Sequence, residues 1–165
     1  MREARTITSR RHPLAFAAYS MVLMLGIIFV TRWLDIGAVP IFAHLDRVWI
    51  YLWEWELVSG GAVSILALCA RPRLSPHWPD LADLLHIEAI GAFVGACGVL
   101  TYLLAAIKLL GLSKVGPSGT ILALLSLGLL YRAVQGLRDA RHVARLGRVV
   151  DAVRALAPEQ LTDKG

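Results

Sequence analysis

The groups in this chain best placed to do chemistry are two carboxylates set among tryptophans, Glu54 and Glu56 in the run Trp53-Glu54-Trp55-Glu56. They fall inside RVWIYLWEWELVSGGAVSILALCA, Arg47 to Ala70, a stretch with the length and apolarity of a membrane-spanning helix. An acid held in hydrocarbon is costly unless it is paired, protonated or hydrated, so its presence points to ion or proton handling or to a charge pair between helices. Two positions along a helix are about 200° apart. The two glutamates therefore point in nearly opposite directions and cannot form an acid dyad. Glu56 shares a face with Gly60, Ser64 and Ala67, the small residues that let helices approach closely. Glu54 runs instead through Leu57 and Val58 to Gly61 and Ile65. The expectation is that Glu56 faces the helix bundle or a cavity, and that Glu54 snorkels or meets another subunit.

The elements that position these acids follow from hydropathy. Of 165 residues, 57% are hydrophobic, and they lie in long blocks rather than in alternation. Four blocks approach or exceed the roughly 20 residues needed to cross a hydrocarbon core: 14–33, 48–70, 87–112 and 119–137. The expected fold is an all-α integral membrane protein with four transmembrane helices and a C-terminal basic amphipathic helix. Residues 1–13 form a basic leader, 14–137 the four-helix domain, and 138–165 the amphipathic helix and tail. The first block is long and Val30-Thr31-Arg32-Trp33 lacks a small-x-small cleavage site, so it reads as an uncleaved span. Between the first two spans, Leu34 to Asp46 is broken by Gly37 and Pro40 yet apolar, and is expected along the outer interface.

Other charged and small residues complete the picture. Gly91, Gly95 and Gly98 make a GxxxGxxG groove on the third span, a helix-packing surface. The same span carries Glu88 near one end and Lys108 near the other. Arg132 closes the fourth. With four spans, both termini share one side with the Arg71 loop, and the excess of arginine there places them in the cytoplasm of a cell expressing the protein in its inner or plasma membrane. That orientation puts Lys108 near the level of Glu54 and Glu56, and Glu88 near the level of Arg132. Two cross-helix charge pairs are the expectation.

Beyond Gly136, Leu137, Ala140, Val143, Leu146, Val149 or Val150, Val153 and Leu156 recur at helical spacing, with Arg138, Arg141, Arg145, Arg148 and Arg154 on other faces. A basic amphipathic helix of this kind is expected to lie on an anionic leaflet, with a coiled coil or a straight extension of the last span as alternatives. The net charge of +5 thus points to lipid headgroups rather than nucleic acid. Cys69 and Cys97 form no CxxC and read as small packing residues.

Catalytic signatures are lacking: GxSxG, HExxH, Walker A and GxGxxG do not occur. His44 with Asp46, and His77, Asp80, Asp83 and His86, lack the converging spacing of a metal site. A membrane haem needs two axial ligands at matching depth, and only His86 lies near a span. No metal or cofactor is expected. The function expected is a small non-enzymatic membrane protein, either self-associating through the glycine groove or an accessory subunit of a membrane complex. Two alternatives are a holin-like pore-forming lysis protein of bacterial or phage origin, with which the Ala, Leu and Arg richness is compatible, and a small proton-coupled transporter using Glu56.

Overall fold

The computed structural model describes residues 13–31, 47–70 and 78–162, and within these the side chains of 47, 78–80, 112–113 and 154–162 fall outside the description. Four helices make up the regular structure of these residues: α1 Pro13–Val30, α2 Arg47–Ala70, α3 Trp78–Leu110 and α4 Leu112–Thr162. All four are long and apolar enough to cross a membrane. The N-terminal leader, the Leu34 to Asp46 stretch, Arg32, His44, His77 and the Arg71 loop lie outside the described residues, as do the side chains of Asp80 and Arg154.

Each helix starts and stops for a local reason. Pro13 opens α1, and Pro79 lies in the first turn of α3, where a missing N–H costs nothing because the first four donors have no helical partner. Gly111 ends α3 with φ 80°, a conformation that a Cβ would oppose. Gly116, at φ 38° and ψ −134°, breaks α4 just after its first turn. Pro117 then restarts the helix, and Ser118 Oγ donates to Val115 O at 2.8 Å across the break.

The hub of the fold is α3, not the tryptophan-rich α2. Small residues cover much of its surface: Ala82, Ala89, Ala92, Ala96 and Ala106 are all buried, as are Gly91, Gly95 and Gly98. Antiparallel neighbours α2 and α4 pack on different sides of it, and α1 packs chiefly on α2 while also touching α3 and α4. A narrow stripe, Tyr19, Val22 and Gly26, is all that α1 buries. One core cluster joins Tyr19, Val22, Trp53, Leu57, Ala92, Ala96, Val99, Leu129 and Ala133 from all four helices.

Two boundaries differ from the sequence expectation. The third helix starts at Trp78 rather than Ile87, because Ala82 and Leu85 have something to pack against. That something is α4, whose Ala140 and Val143 are buried with them in a separate cluster. The fourth helix accordingly does not end at residue 137 and lie down. Apart from Gly116 it runs without a break to Thr162. The segment after Gly136 is a continuous extension of the last apolar helix, packed through Ala140 and Val143 on the start of α3, and this corrects the expectation of a separate surface-lying helix. Its periodicity is real, but the apolar stripe meets protein: Ala140 and Val143 are buried, while Arg138, Arg141, Arg145 and Arg148 are exposed.

A distance measurement tests this continuity. Spin labels at Leu137→Cys and Val153→Cys, with Cys69 and Cys97 replaced by serine, should report a backbone separation of about 24 Å for sixteen residues of straight helix. A markedly shorter distance means a bend.

Candidate functional site

The most deeply buried charge among the described residues is Glu88, 1% exposed. Its Oε1 accepts from Tyr19 Oη at 2.8 Å, from Arg132 Nε at 3.0 Å and from Arg132 Nη2, also at 3.0 Å. One oxygen thus ties α1, α3 and α4 together. Charge-assisted bonds of this kind are stronger than neutral ones, and the low dielectric around Glu88 strengthens them further. The depth argument from the sequence brought Glu88 and Arg132 to one level; the structure places them in contact. Tyr19 had no signal beyond being, beside Ser20, a hydroxyl in the middle of an otherwise apolar run. A buried tyrosine hydroxyl needs a partner, and that need was the available clue.

Other polar ties also run to α3. Trp53 Nε1 donates to Gly98 O at 2.7 Å, and Ser126 Oγ donates to Ala96 O at 3.3 Å. The donors come from α2 and α4, and the acceptors are carbonyls of α3 opened to approach by small side chains.

The α2–α3 crossing is a backbone contact. A Cβ added to Gly60 would overlap Gly95 N and lie 2.7 Å from Gly95 Cα. One added to Gly91 would meet Ser64 Oγ at 2.5 Å and Gly60 O at 3.0 Å. On the other side of α2, a Cβ on Gly61 would meet Leu23 N of α1 at 2.7 Å. The adjacent pair Gly60-Gly61 thus lets α2 approach two helices at once. The groove Gly91, Gly95 and Gly98 is filled from within the chain, by Gly60, Ser64, Val22 and Leu57. It is not available for self-association, and that part of the sequence expectation is corrected.

The two acids of α2 exchange roles. Glu54 is buried, at 8% exposure, and Glu56 is only partly buried. The cause is α1. Glu54 lies two turns before Gly61, on the face that α1 covers through Leu23 and through the close approach of Gly26 to Val58. Glu56 does lie at the small-residue face, with its Cβ 3.4 Å from a Cβ placed on Gly98. It sits at the outer edge of the α2–α3 seam rather than in the interior.

Lys108 does not pair with either glutamate. It is exposed, and among the described residues it makes no ion pair. The register explains this. Leu57 lies beside Gly98, Gly60 beside Gly95 and Ser64 beside Gly91. Continued along both helices, that antiparallel register sets Lys108 level with Arg47, seven to nine residues from the glutamates. The offset is roughly 10–14 Å of helix rise.

At the end of the bundle away from Glu88 lies a cavity of ≈ 270 Å³ lined by Leu25, Phe29, Trp53, Leu57, Val99, Tyr102, Ser118, Ile121 and Leu122. Trp53 stacks on Tyr102 with ring centroids 5.1 Å apart, and Phe29 tilts against Trp53 at 4.6 Å. The lining is almost wholly apolar, with Tyr102 and Ser118 its hydroxyl-bearing residues. Among the described residues no three His, Cys, Asp or Glu side chains converge as metal ligands. Neither cysteine is buried as a packing residue: Cys69 is exposed and Cys97 intermediate.

Comparison of the chain with protein-family profiles, with curated proteins and with solved structures gives no match.

Proposed function

We propose that this chain is an integral membrane protein that acts without catalysis, as an accessory subunit within a membrane assembly, with both termini in the cytoplasm. The observation that carries the reading is the division of polar and apolar groups. Arg132 and Tyr19 both hold Glu88 Oε1 in the interior, while large apolar side chains stand exposed on every helix. Leu14 and Met24 on α1, Leu66 on α2, Phe93 and Leu104 on α3, and Leu124 and Leu127 on α4 are all more than half exposed. A surface of that kind suits hydrocarbon and is a liability in water. Because the glycine groove is filled inside the chain, the partner of such a subunit engages another face.

Fractionation and reporter fusions test the reading. In bacterial cells the protein should stay in the membrane pellet through alkaline carbonate. Reporters fused after Gly165 and within the Arg71 loop should both read cytoplasmic. Growth and membrane potential should persist on induction. Release by carbonate would overturn membrane integration, and abrupt growth arrest with loss of potential would favour the pore-forming alternative.

A further inference from the structure

The outer seam between α2 and α3 carries a polar notch in the middle of the apolar surface. Glu56 is partly buried there, its Cβ 3.4 Å from a Cβ placed on Gly98 of α3; Cys97, the neighbour of that glycine, is also partly buried, and Thr101, one turn along α3 from Cys97, is exposed. Around them the surface is apolar: Leu52 of α2 is 52% exposed and Leu104 of α3 is 58% exposed. Glu56 lies nine residues into α2, about 14 Å of rise from its first residue. Its side chain makes no hydrogen bond or ion pair among the described residues. Glu54, by contrast, is enclosed under α1, and Glu88 is held by Arg132 and Tyr19. Glu56 is the acid that the fold turns outward.

Its depth says what can meet it. Copies of one chain lying parallel in a bilayer hold like residues at like depth. The described cations nearest in level are Lys108, set beside the start of α2, and Arg132, already engaged by Glu88. Lys114, at the start of α4, lies at the same end as Lys108, since Val115 packs with Leu103 and Ala106 of α3, and Arg138 onward belong to the opposite end. A second parallel copy therefore brings no described cation to the level of Glu56. We infer that the Glu56, Cys97 and Thr101 notch is the docking site for a transmembrane helix of a different protein, one that carries a lysine or arginine near its midpoint. The inference rests on the reading of this chain as an integral membrane subunit. The partner's cation neutralises Glu56, its apolar face covers Leu52 and Leu104, and Thr101 offers a hydroxyl beside the pair. A charge pair formed in hydrocarbon selects depth as well as sign, because sliding either helix strands both charges.

A defined probe tests this. The full-length protein is reconstituted in phosphatidylcholine vesicles with single-span Leu/Ala host peptides bearing lysine at the centre, lysine two turns from the centre, or leucine at the centre. Association is read by energy transfer between a donor at the C-terminus of the protein and an acceptor on the peptide. The central-lysine peptide should bind about five- to thirty-fold more tightly than the leucine peptide, the range expected for a polar contact between membrane helices. The shifted-lysine peptide should bind like leucine. Glu56→Gln should abolish the preference, and Thr101→Trp, which fills the notch and leaves the acid in place, should do the same. Circular dichroism and carbonate resistance of each variant in the vesicles confirm an intact, inserted fold. Equal binding of the central-lysine and leucine peptides, or a preference that survives Glu56→Gln, overturns the docking site. Failure of the wild-type chain to insert would instead overturn the membrane reading itself.

Discussion

Arg132→Leu should destabilise the helical bundle by about 3–5 kcal/mol, the cost of breaking a buried charge pair from one side. The variant removes the cation from beside the Glu88 carboxylate, 1% exposed, while the Tyr19 hydroxyl still donates to its Oε1. The double variant Glu88→Gln/Arg132→Leu should recover most of that loss, because it removes the charge as well as its partner. Tyr19→Phe deletes one hydroxyl that donates to an already paired acid, and its effect should be roughly 0.6–1.5 kcal/mol. The measurement is unfolding in mixed micelles of increasing sodium dodecyl sulfate fraction, followed by circular dichroism. A wild-type midpoint for Arg132→Leu, or a double variant no better than the single, would show that the contact is not what ties α1, α3 and α4 together.

The second large effect is steric. Gly60→Leu drives a side chain into the backbone of α3 at Gly95, where even a Cβ overlaps the amide nitrogen. Overpacking of a tight interface costs about 1–3 kcal/mol and occasionally more, and here the obstacle is main chain that cannot rotate away. The expected loss is about 3 kcal/mol, at the top of that range. Gly61→Leu should loosen α1 from α2 and leave the α2–α3 crossing in place, because its obstacle is Leu23. Gly128→Leu is the control. A Cβ there meets nothing within 4 Å, so its unfolding midpoint should match that of the wild type. Equal tolerance at residues 60 and 128 would sink the account of the crossing.

The contrast between Gly60 and Gly61 also shows why part of this molecule could be read from its residues and part could not. Long apolar blocks sufficed for four helices, since hydrocarbon-length runs have few other uses. Depth counting brought Glu88 and Arg132 together, because both lie near the same end of adjacent antiparallel helices. The roles of Glu54 and Glu56 could not be separated in this way. Each shares a face with a glycine, and α2 uses both faces, one against α1 and one against α3. Nothing within α2 says which neighbour encloses its acid more completely. The supposed pairing of Lys108 with these acids failed on register, which is set where Gly60 meets Gly95 and not where the hydrophobic blocks begin. The amphipathic pattern after Gly136 was legible as helix, yet a stripe of Ala140 and Val143 reads alike whether it meets lipid or protein. The answer lay in Ala82 and Leu85, in a stretch that the prolines made look like loop.

The unbroken run of α4 past the bundle has a mechanical consequence. Val143 still packs with Ala82 and Leu85 of α3, and Thr162 lies nineteen residues further on, about 28 Å of helix rise. That contact is thus a fulcrum near the base of a rod. A tilt of about 5° around it carries the far end through about 2.5 Å at that length, so small changes in packing between α3 and α4 become ångström-scale displacements of the helix end.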